Sequence, residues 1–241
     1  MDALRSAKKT MRKATRKATR SVHEALHSVI DEEMDIQKAL EHVAMEHEDS
    51  STYVSAWAET TGDAQIISFA SALQPLFRNQ VEAEGALAVA QGDFVEMWKR
   101  LLAKERVRDN LRKTLDKNQA NVDKLQTKLA SAPAAKRAAL EQKLAEATQL
   151  RDAAQAEYEP VAAETAAFTH DQLVAGYTAF NAAYIQYLQT CLNAANARSD
   201  TINAFAAGNP QGGGGIRAAA AAAMGSAAAY MPSNGAPPAY Q

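Results

Sequence analysis

Between residues 22 and 205 the chain is almost free of helix breakers: the prolines there are Pro75, Pro133 and Pro160, and the glycines Gly62, Gly85, Gly92 and Gly176. Sheet proteins need a turn signal every few residues, so a β or α/β fold is excluded and an all-α body is expected. Alanine, leucine, glutamine, glutamate and lysine, all good helix formers, fill the stretch.

Apolar spacing predicts the kind of helix. Leu26, Val29, Glu33, Ile36, Leu40, Val43, His47, Ser50, Val54 and Trp57 follow alternating steps of three and four, a heptad seam with polar interruptions. Leu111, Leu115, Asn118, Val122, Leu125 and Leu129 form a second seam. Leu140, Leu144 and Ala147 open a third, which resumes as Leu173, Tyr177, Phe180, Tyr184 and Tyr187. Breaks at Thr60-Thr61-Gly62-Asp63 and Ser131-Ala132-Pro133 leave three helices, 22–60, 64–131 and 134–206. The second and third reach about 100 Å each at the standard rise, too long for a compact globule.

A hairpin at Pro133 places residue i opposite 265 minus i. Charge supports it: 61–95 carry five charged residues and 165–205 three, whereas 96–131 carry fifteen and 134–164 ten. The low-charge end holds Phe69, Leu73, Leu76, Phe77, Val81 and Leu87 on one side of the hairpin. Tyr177, Phe180, Tyr184, Ile185, Tyr187, Leu188 and Leu192 lie on the other. That is more apolar surface than three helices need, and a two-fold dimer with a six-helix core is expected.

The net charge of −2 conceals a strong division. Residues 1–21 hold eight bases and one acid (+7), 22–95 two and fourteen (−12), 96–151 fourteen and seven (+7), and 152–241 two and six (−4). The second positive region consists of Lys99, Arg100, Lys104, Arg106, Arg108, Arg112, Lys113, Lys117, Lys124, Lys128, Lys136, Arg137, Lys143 and Arg151. A solvated helix exterior with intrahelical ion pairs is the plain reading of any one of them. Glu105, Asp109 and Asp116 can neutralise only part of the set.

The first positive region, RSAKKTMRKATRKATR, contains Arg5, Lys8, Lys9, Arg12, Lys13, Arg16, Lys17 and Arg20. Leu4, Ala7, Met11, Ala14, Ala18 and Val22 recur at helical spacing, with the cations on the remaining faces. An inserting amphipathic helix carries Phe, Trp or several Leu, so electrostatic adsorption fits this thin stripe better than deep insertion. Each Lys or Arg near an anionic leaflet contributes about 1 kcal/mol, screened by salt. Phosphatidylserine and phosphoinositides are the expected lipids. Thr15 and Thr19 each follow a basic residue at −3, as basophilic kinases prefer. Two phosphates of about −1.5 to −2 each would cancel roughly half of the +7, though threonines filling a helix face explain the pattern equally. A transit peptide and a nucleic-acid arm share this composition, but no base-reading motif or stacking platform accompanies it, so no nucleic-acid partner is expected.

These features resemble the BAR-domain superfamily, crescent dimers of three long kinked helices that bind and bend membranes. The resemblance covers residues 22–206 and rests on the basic leader, the helix lengths, the low-charge dimer end, the basic arm tip, and Pro75 and Pro160 inside the long helices. Within that superfamily, EHVAMEHEDSSTYVSAW and SAPAAKRAALEQKL are similar to stretches of the fungal eisosome core components. The resemblance implies three long kinked antiparallel helices forming a coiled-coil rod, lipid-facing arm cations, and a homodimer able to build a higher-order lattice.

Catalysis finds little support, and no catalytic residue, metal or cofactor is expected. Glu24-x-x-His27 matches one half of a di-iron helix motif, yet no second Glu-x-x-His completes it. His23, His42, His47 and His170 read as surface or seam residues. No phosphate-binding glycine loop or Gly-x-Ser-x-Gly occurs, and the single cysteine, Cys191, falls at the apolar end, where a buried thiol is inert. One cysteine precludes an internal disulfide and points to a reducing compartment.

No run of about 18 apolar residues occurs and no apolar h-region follows the leader, so neither a spanning helix nor a secretory signal is expected. Residues 207–241 read as a Gly/Ala/Pro tail too poor in large apolar side chains to fold. Its Pro237-Pro238-Ala239-Tyr240 resembles the PPxY ligand of WW domains, a sequence that such a tail also yields by chance. Residues 1–21, 22–206 and 207–241 are thus expected as basic leader, helical body and tail of a non-enzymatic, membrane-curving scaffold. It would sit in the cytoplasm, peripherally on the inner face of a plasma or endosomal membrane. A spectrin-like coiled-coil cytoskeletal or adaptor protein is the alternative.

Overall fold

The computed structural model describes residues 2–208, with side chains from residue 23 onward. Three helices account for nearly all of them: α1 (Asp2–Thr61), α2 (Ala64–Ala130) and α3 (Ala134–Ala206). The breaks fall where the sequence puts them. The difference lies at the start, where the basic leader is not a separate element but continues into α1 without interruption.

The connections are local chemistry. Gly62 takes φ +66°, a left-handed conformation that costs glycine little, and closes α1 through its amide to the Glu59 carbonyl. Asp63 then caps α2, its Oδ1 accepting from the amides of Gln65 at 2.7 Å and Ile66 at 3.3 Å. At the second break the Ser131 and Ala132 amides donate to the carbonyls of Lys128 and Leu129. Pro133, which has no amide hydrogen to lose, precedes α3. Pro75 and Pro160 stand inside uninterrupted helices, both exposed, so the carbonyls they leave without a helical partner lie on the water side.

Contacts divide the chain into two compact units, each built from parts of all three helices: Met1–Glu32 with Phe94–Tyr177, and Glu33–Asp93 with Thr178–Gln241. In the first, Phe94, Val95, Met97, Leu101, Leu102 and Val122 of α2 are buried with Ala147 and Ala154 of α3. Tyr177 meets Phe94 edge-on at 4.9 Å between ring centroids. Gly176 is packed so closely on the Met97 sulfur that a β-carbon there would collide with it.

In the second unit Leu73 and Leu76 form the core with Phe69, Phe77 and Ala197, and Phe69 stacks on Phe205 at 4.5 Å. Glu84, 1% exposed, is the unit's most deeply buried charge. Its carboxylate meets His47 Nδ1 at 2.8 and 2.9 Å and accepts from Gln80 at 2.9 Å. The Gln91 amide similarly donates to the Glu33 carboxylate at 2.6 Å. These polar contacts hold α1 on α2.

The seam expected on α1 is correct in one half and displaced by one residue in the other. Leu40, His47 and Val54 are half-buried as expected, but the alternate positions that pack inward are Gln37, Ala44, Ser51 and Ala58, not Ile36, Val43, Ser50 and Trp57. Ile36, Val43 and Trp57 are 47%, 42% and 59% exposed, while Ala58 is 1% exposed. Small side chains let the α1 backbone approach its neighbours closely, and the larger apolar residues are left outside.

The register also departs from the symmetric hairpin. Residue numbers of α2–α3 partners sum to 268 for Asn118–Leu150 and Lys104–Glu164 and to 270 for Arg112–Tyr158. The sums are 274 for Phe69–Phe205 and 275 for Phe77–Arg198, against the expected 265. Helical side chains lean toward their own N-terminus, which in an antiparallel pair raises every sum by about two. The further rise shows α3 spending more residues than α2 over the same pairing.

Burial first, and then the neighbouring Cys191 one turn along α3, push the Tyr187 hydroxyl up to about 12; burial also raises the Cys191 thiol, against the pull of Tyr187. Two outcomes follow. In urea unfolding, His47→Ala should cost about 1–3 kcal/mol by stranding a buried carboxylate, while His42→Ala, at an exposed position, should change stability by less than about 0.5 kcal/mol. A folded-state pKa raised above the unfolded value gives stability that is complete below the unfolded value and lost as pH rises through the folded one. The Tyr187 hydroxyl should therefore leave stability unchanged up to pH 9 and lower it between pH 10 and about 12, so the melting temperature of the parent should fall relative to that of Tyr187→Phe across that window.

Candidate functional site

The cations of α2 fall on two faces. Arg100, Lys104, Arg108 and Arg112 recur every four residues, and Lys99, Arg106, Lys113, Lys117, Lys124 and Lys128 at steps of seven or four. At 100° per residue the second group lies within about 60° of arc. Glu105, Asp109, Asp116 and Asp123 are centred about 90° away, and no carboxylate interrupts the row between Lys99 and Lys128.

The two groups differ in their partners. Three members of the first are engaged with carboxylates: Lys104 with Glu164 of α3 at 2.5 Å, Arg108 with Glu105 and Asp109, and Arg112 with Asp116 at 3.4 Å. Lys104 also lies over the Phe168 ring and Arg112 over the Tyr158 ring. The hydrogen bond from Arg112 to the Tyr158 hydroxyl, ahead of its Asp116 contact, raises the guanidinium pKa above its ordinary value. Lys104 and Arg112 thereby join α2 to α3, whereas the carboxylates that hold Arg108 lie on α2 itself.

Every member of the second group is exposed. Lys99 bonds Glu96 at 2.7 Å, Arg106 approaches His27 Nε2 at 2.7 Å, and Lys113 reaches the neutral Asn110 amide oxygen at 3.5 Å. Lys117, Lys124 and Lys128 make no ion pair among the described residues. Over the 29 residues from Lys99 to Lys128 the row spans about 45 Å, pointing away from the Leu111–Val122–Leu129 line that packs on α3.

On α3, Lys136 and Lys143 are exposed and unpaired among the described residues. Arg137 donates to the Ala132 carbonyl at 3.3 Å, and Arg151 is tied to Asp152 at 2.5 Å and Gln119 at 3.3 Å. Among the described residues the fourteen cations therefore separate into five with carboxylate partners, three with other partners (Arg106, Lys113 and Arg137), and six with none (Arg100, Lys117, Lys124, Lys128, Lys136 and Lys143). What the sequence reading missed was the segregation, although its signal, the steps of seven and four, is visible in the primary sequence.

Arg5, Lys8, Lys9, Arg12, Lys13, Arg16, Lys17, Arg20, Thr15 and Thr19 lie on the helical backbone of α1, and their side chains are outside the described set. Pro237, Pro238 and Tyr240 lie outside the described residues. Where α1 leaves the leader, His23 Nε2 comes within 2.9 Å of Asp109 Oδ2, close enough for an electrostatic contact although not aligned as a hydrogen bond.

The α2 row is a face of spread positive charge. Among the described residues no group of three or more His, Cys, Asp or Glu side chains could hold a metal ion. No helix among them is long and apolar enough to cross a membrane. No protein-family model matches the chain, and neither does any curated protein.

Proposed function

We propose that the protein is a peripheral membrane scaffold of BAR-like type that adsorbs on anionic lipid through the α2 cation row and the basic leader, and shapes the membrane as a dimer. The row Lys99, Arg106, Lys113, Lys117, Lys124 and Lys128 carries the reading. Six exposed cations on one face over about 45 Å, five of them with no carboxylate partner among the described residues, match an extended anionic surface better than a single small anion. At about 1 kcal/mol per cation near an acidic leaflet, two copies of the row and two leaders supply strong, salt-sensitive binding by avidity. The paired set at Lys104, Arg108 and Arg112 is structural in this reading and adds little.

The dimer is supported by the second unit's uncovered apolar side chains. Leu73, Leu76 and Leu87 of α2 are consumed inside the chain, so the excess anticipated there is absent. On α3, where it was equally expected, Tyr184, Ile185, Leu188 and Leu192 stay exposed at helical spacing, and Ile36 and Val43 of α1 are exposed as well. A second copy covering these would complete six helices and bring two cation rows into one particle. Kinks at Pro75 and Pro160 would give that particle a concave side.

Two measurements examine the reading. In co-sedimentation with phosphatidylserine vesicles at 100 mM salt, Lys113→Glu/Lys117→Glu/Lys124→Glu should lower affinity at least about tenfold, and Arg112→Gln less than about twofold. Loss of equal size from both, or acidic vesicles bound no better than neutral ones, rejects it in favour of an adaptor coiled coil. In sedimentation equilibrium, Leu188→Asp/Leu192→Asp should yield monomers that keep their helical circular dichroism, whereas an unchanged dimer, or a monomeric parent, removes the dimer.

A further inference from the structure

The outer face of α1 in the second unit has no role in the lipid reading, and its chemistry is the inverse of the leader's. Residues 33–59 of α1 hold seven acids (Glu33, Asp35, Glu41, Glu46, Glu48, Asp49 and Glu59) and one base, Lys38, a net −6. On the outward side Glu46, Asp49, Tyr53 and Trp57 follow one another at steps of three, four and four. With Ser50 and Val54 they line a shallow surface groove. Tyr53 is 71% exposed, and neither its ring nor that of Trp57 stacks on another ring or a cation among the described residues. Glu48 and Asp49 have no ion-pair partner among them.

Two uncovered aromatic rings following the carboxylates of Asp49 and of Glu46, which also lies 3.6 Å from His42 Nε2, form a seat for a cationic helix. Lysine and arginine heads are attracted to both the ring faces and the acids, and such charge complementarity also fixes the orientation of the pair. Within this sequence the matching segment is residues 5–20, eight cations and no acid. A chain cannot seat its own leader there, because α1 runs from Asp2 to Thr61 without a break and has no turn on which to fold back. We infer that the leader of one molecule docks on the Glu46–Trp57 face of α1 in a second copy, giving a head-to-body contact that propagates from dimer to dimer.

The contact is heterologous, since the donor and acceptor surfaces differ, so it extends as an open array or closes into a ring according to the rotation between copies. Docked leaders are also withheld from lipid, and salt that weakens one use weakens the other. The inference does not rest on lipid binding. Vesicle binding that fails while self-association persists would sink the membrane reading alone.

The test uses the full chain as an equal mixture of unlabelled and nitrogen-15-labelled protein, treated with a zero-length carbodiimide cross-linker and read by mass spectrometry. Mixed-isotope cross-links from Lys8, Lys9, Lys13 or Lys17 to Glu46, Glu48 or Asp49 are expected. In light scattering, Glu46→Lys/Asp49→Lys and, separately, Arg12→Glu/Lys13→Glu/Arg16→Glu should each raise the concentration needed for assembly beyond the dimer about tenfold, with helicity retained. The variant carrying all five changes should recover most of that loss, because opposite charges face each other again. A chain that never assembles beyond the dimer, cross-links confined to single-isotope pairs, or a five-fold variant no better than its parents would each overturn the inference. So would a groove whose charge reversal affects only the binding of an added basic peptide.

Discussion

A long helix buries only the line along which another helix lies, and everything off that line stays in water. In this protein the buried lines are narrow and chemically mixed. Ala44, Ser51 and Ala58 pack inward on α1, Asn118 bonds the Leu150 carbonyl within the α2–α3 line, and Glu84 sits at 1% exposure against His47. On α1, where small and polar residues occupy the shared face, larger apolar side chains such as Ile36, Val43 and Trp57 are left on the outside, where they can meet something other than their own chain. The cation row of α2 and the apolar stripe of α3 likewise lie off the buried lines.

The buried polar contacts give these lines their register. A pair such as His47–Glu84 contributes little net stability relative to apolar packing, since desolvation offsets most of the attraction. Removing one partner is costly all the same, so a slipped register that separates them is disfavoured. The contacts of His23 with Asp109 in one unit and of His47 with Glu84 in the other each hold α1 in one place along α2. Lys104 and Arg112 make comparable contacts from α2 to α3 in the first unit, so their charge is committed, while Lys117, Lys124 and Lys128 make no ion pair among the described residues.

Much of the fold was legible in the sequence, because helix ends are set by local chemistry. Gly62, Asp63 and Pro133 mark the breaks whatever the rest of the chain does. Which face packs was less legible. Ile36 and Val43 fit an apolar seam better than Gln37 and Ala44, and composition cannot reveal that close backbone approach favours the smaller pair. The symmetric hairpin rule failed for a related reason, since it counts Cα positions and ignores the lean of side chains and the greater length of α3. The candidate site was legible as a list of fourteen cations but not as a surface, because ion pairing across helices, such as Lys104 with Glu164, depends on a register that the sequence leaves open.

The row on α2 is the element on which the membrane reading depends, and it makes a claim about orientation that bulk affinity does not test. Single nitroxide labels placed in turn at positions 113, 117, 124 and 128, and at 105, 112 and 116 for comparison, report which side of α2 meets lipid when phosphatidylserine vesicles are added to the full chain. The account predicts reduced accessibility to a water-soluble relaxation agent at the first four positions and little change at the other three. Equal protection around the helix, or protection confined to 105, 112 and 116, would contradict it.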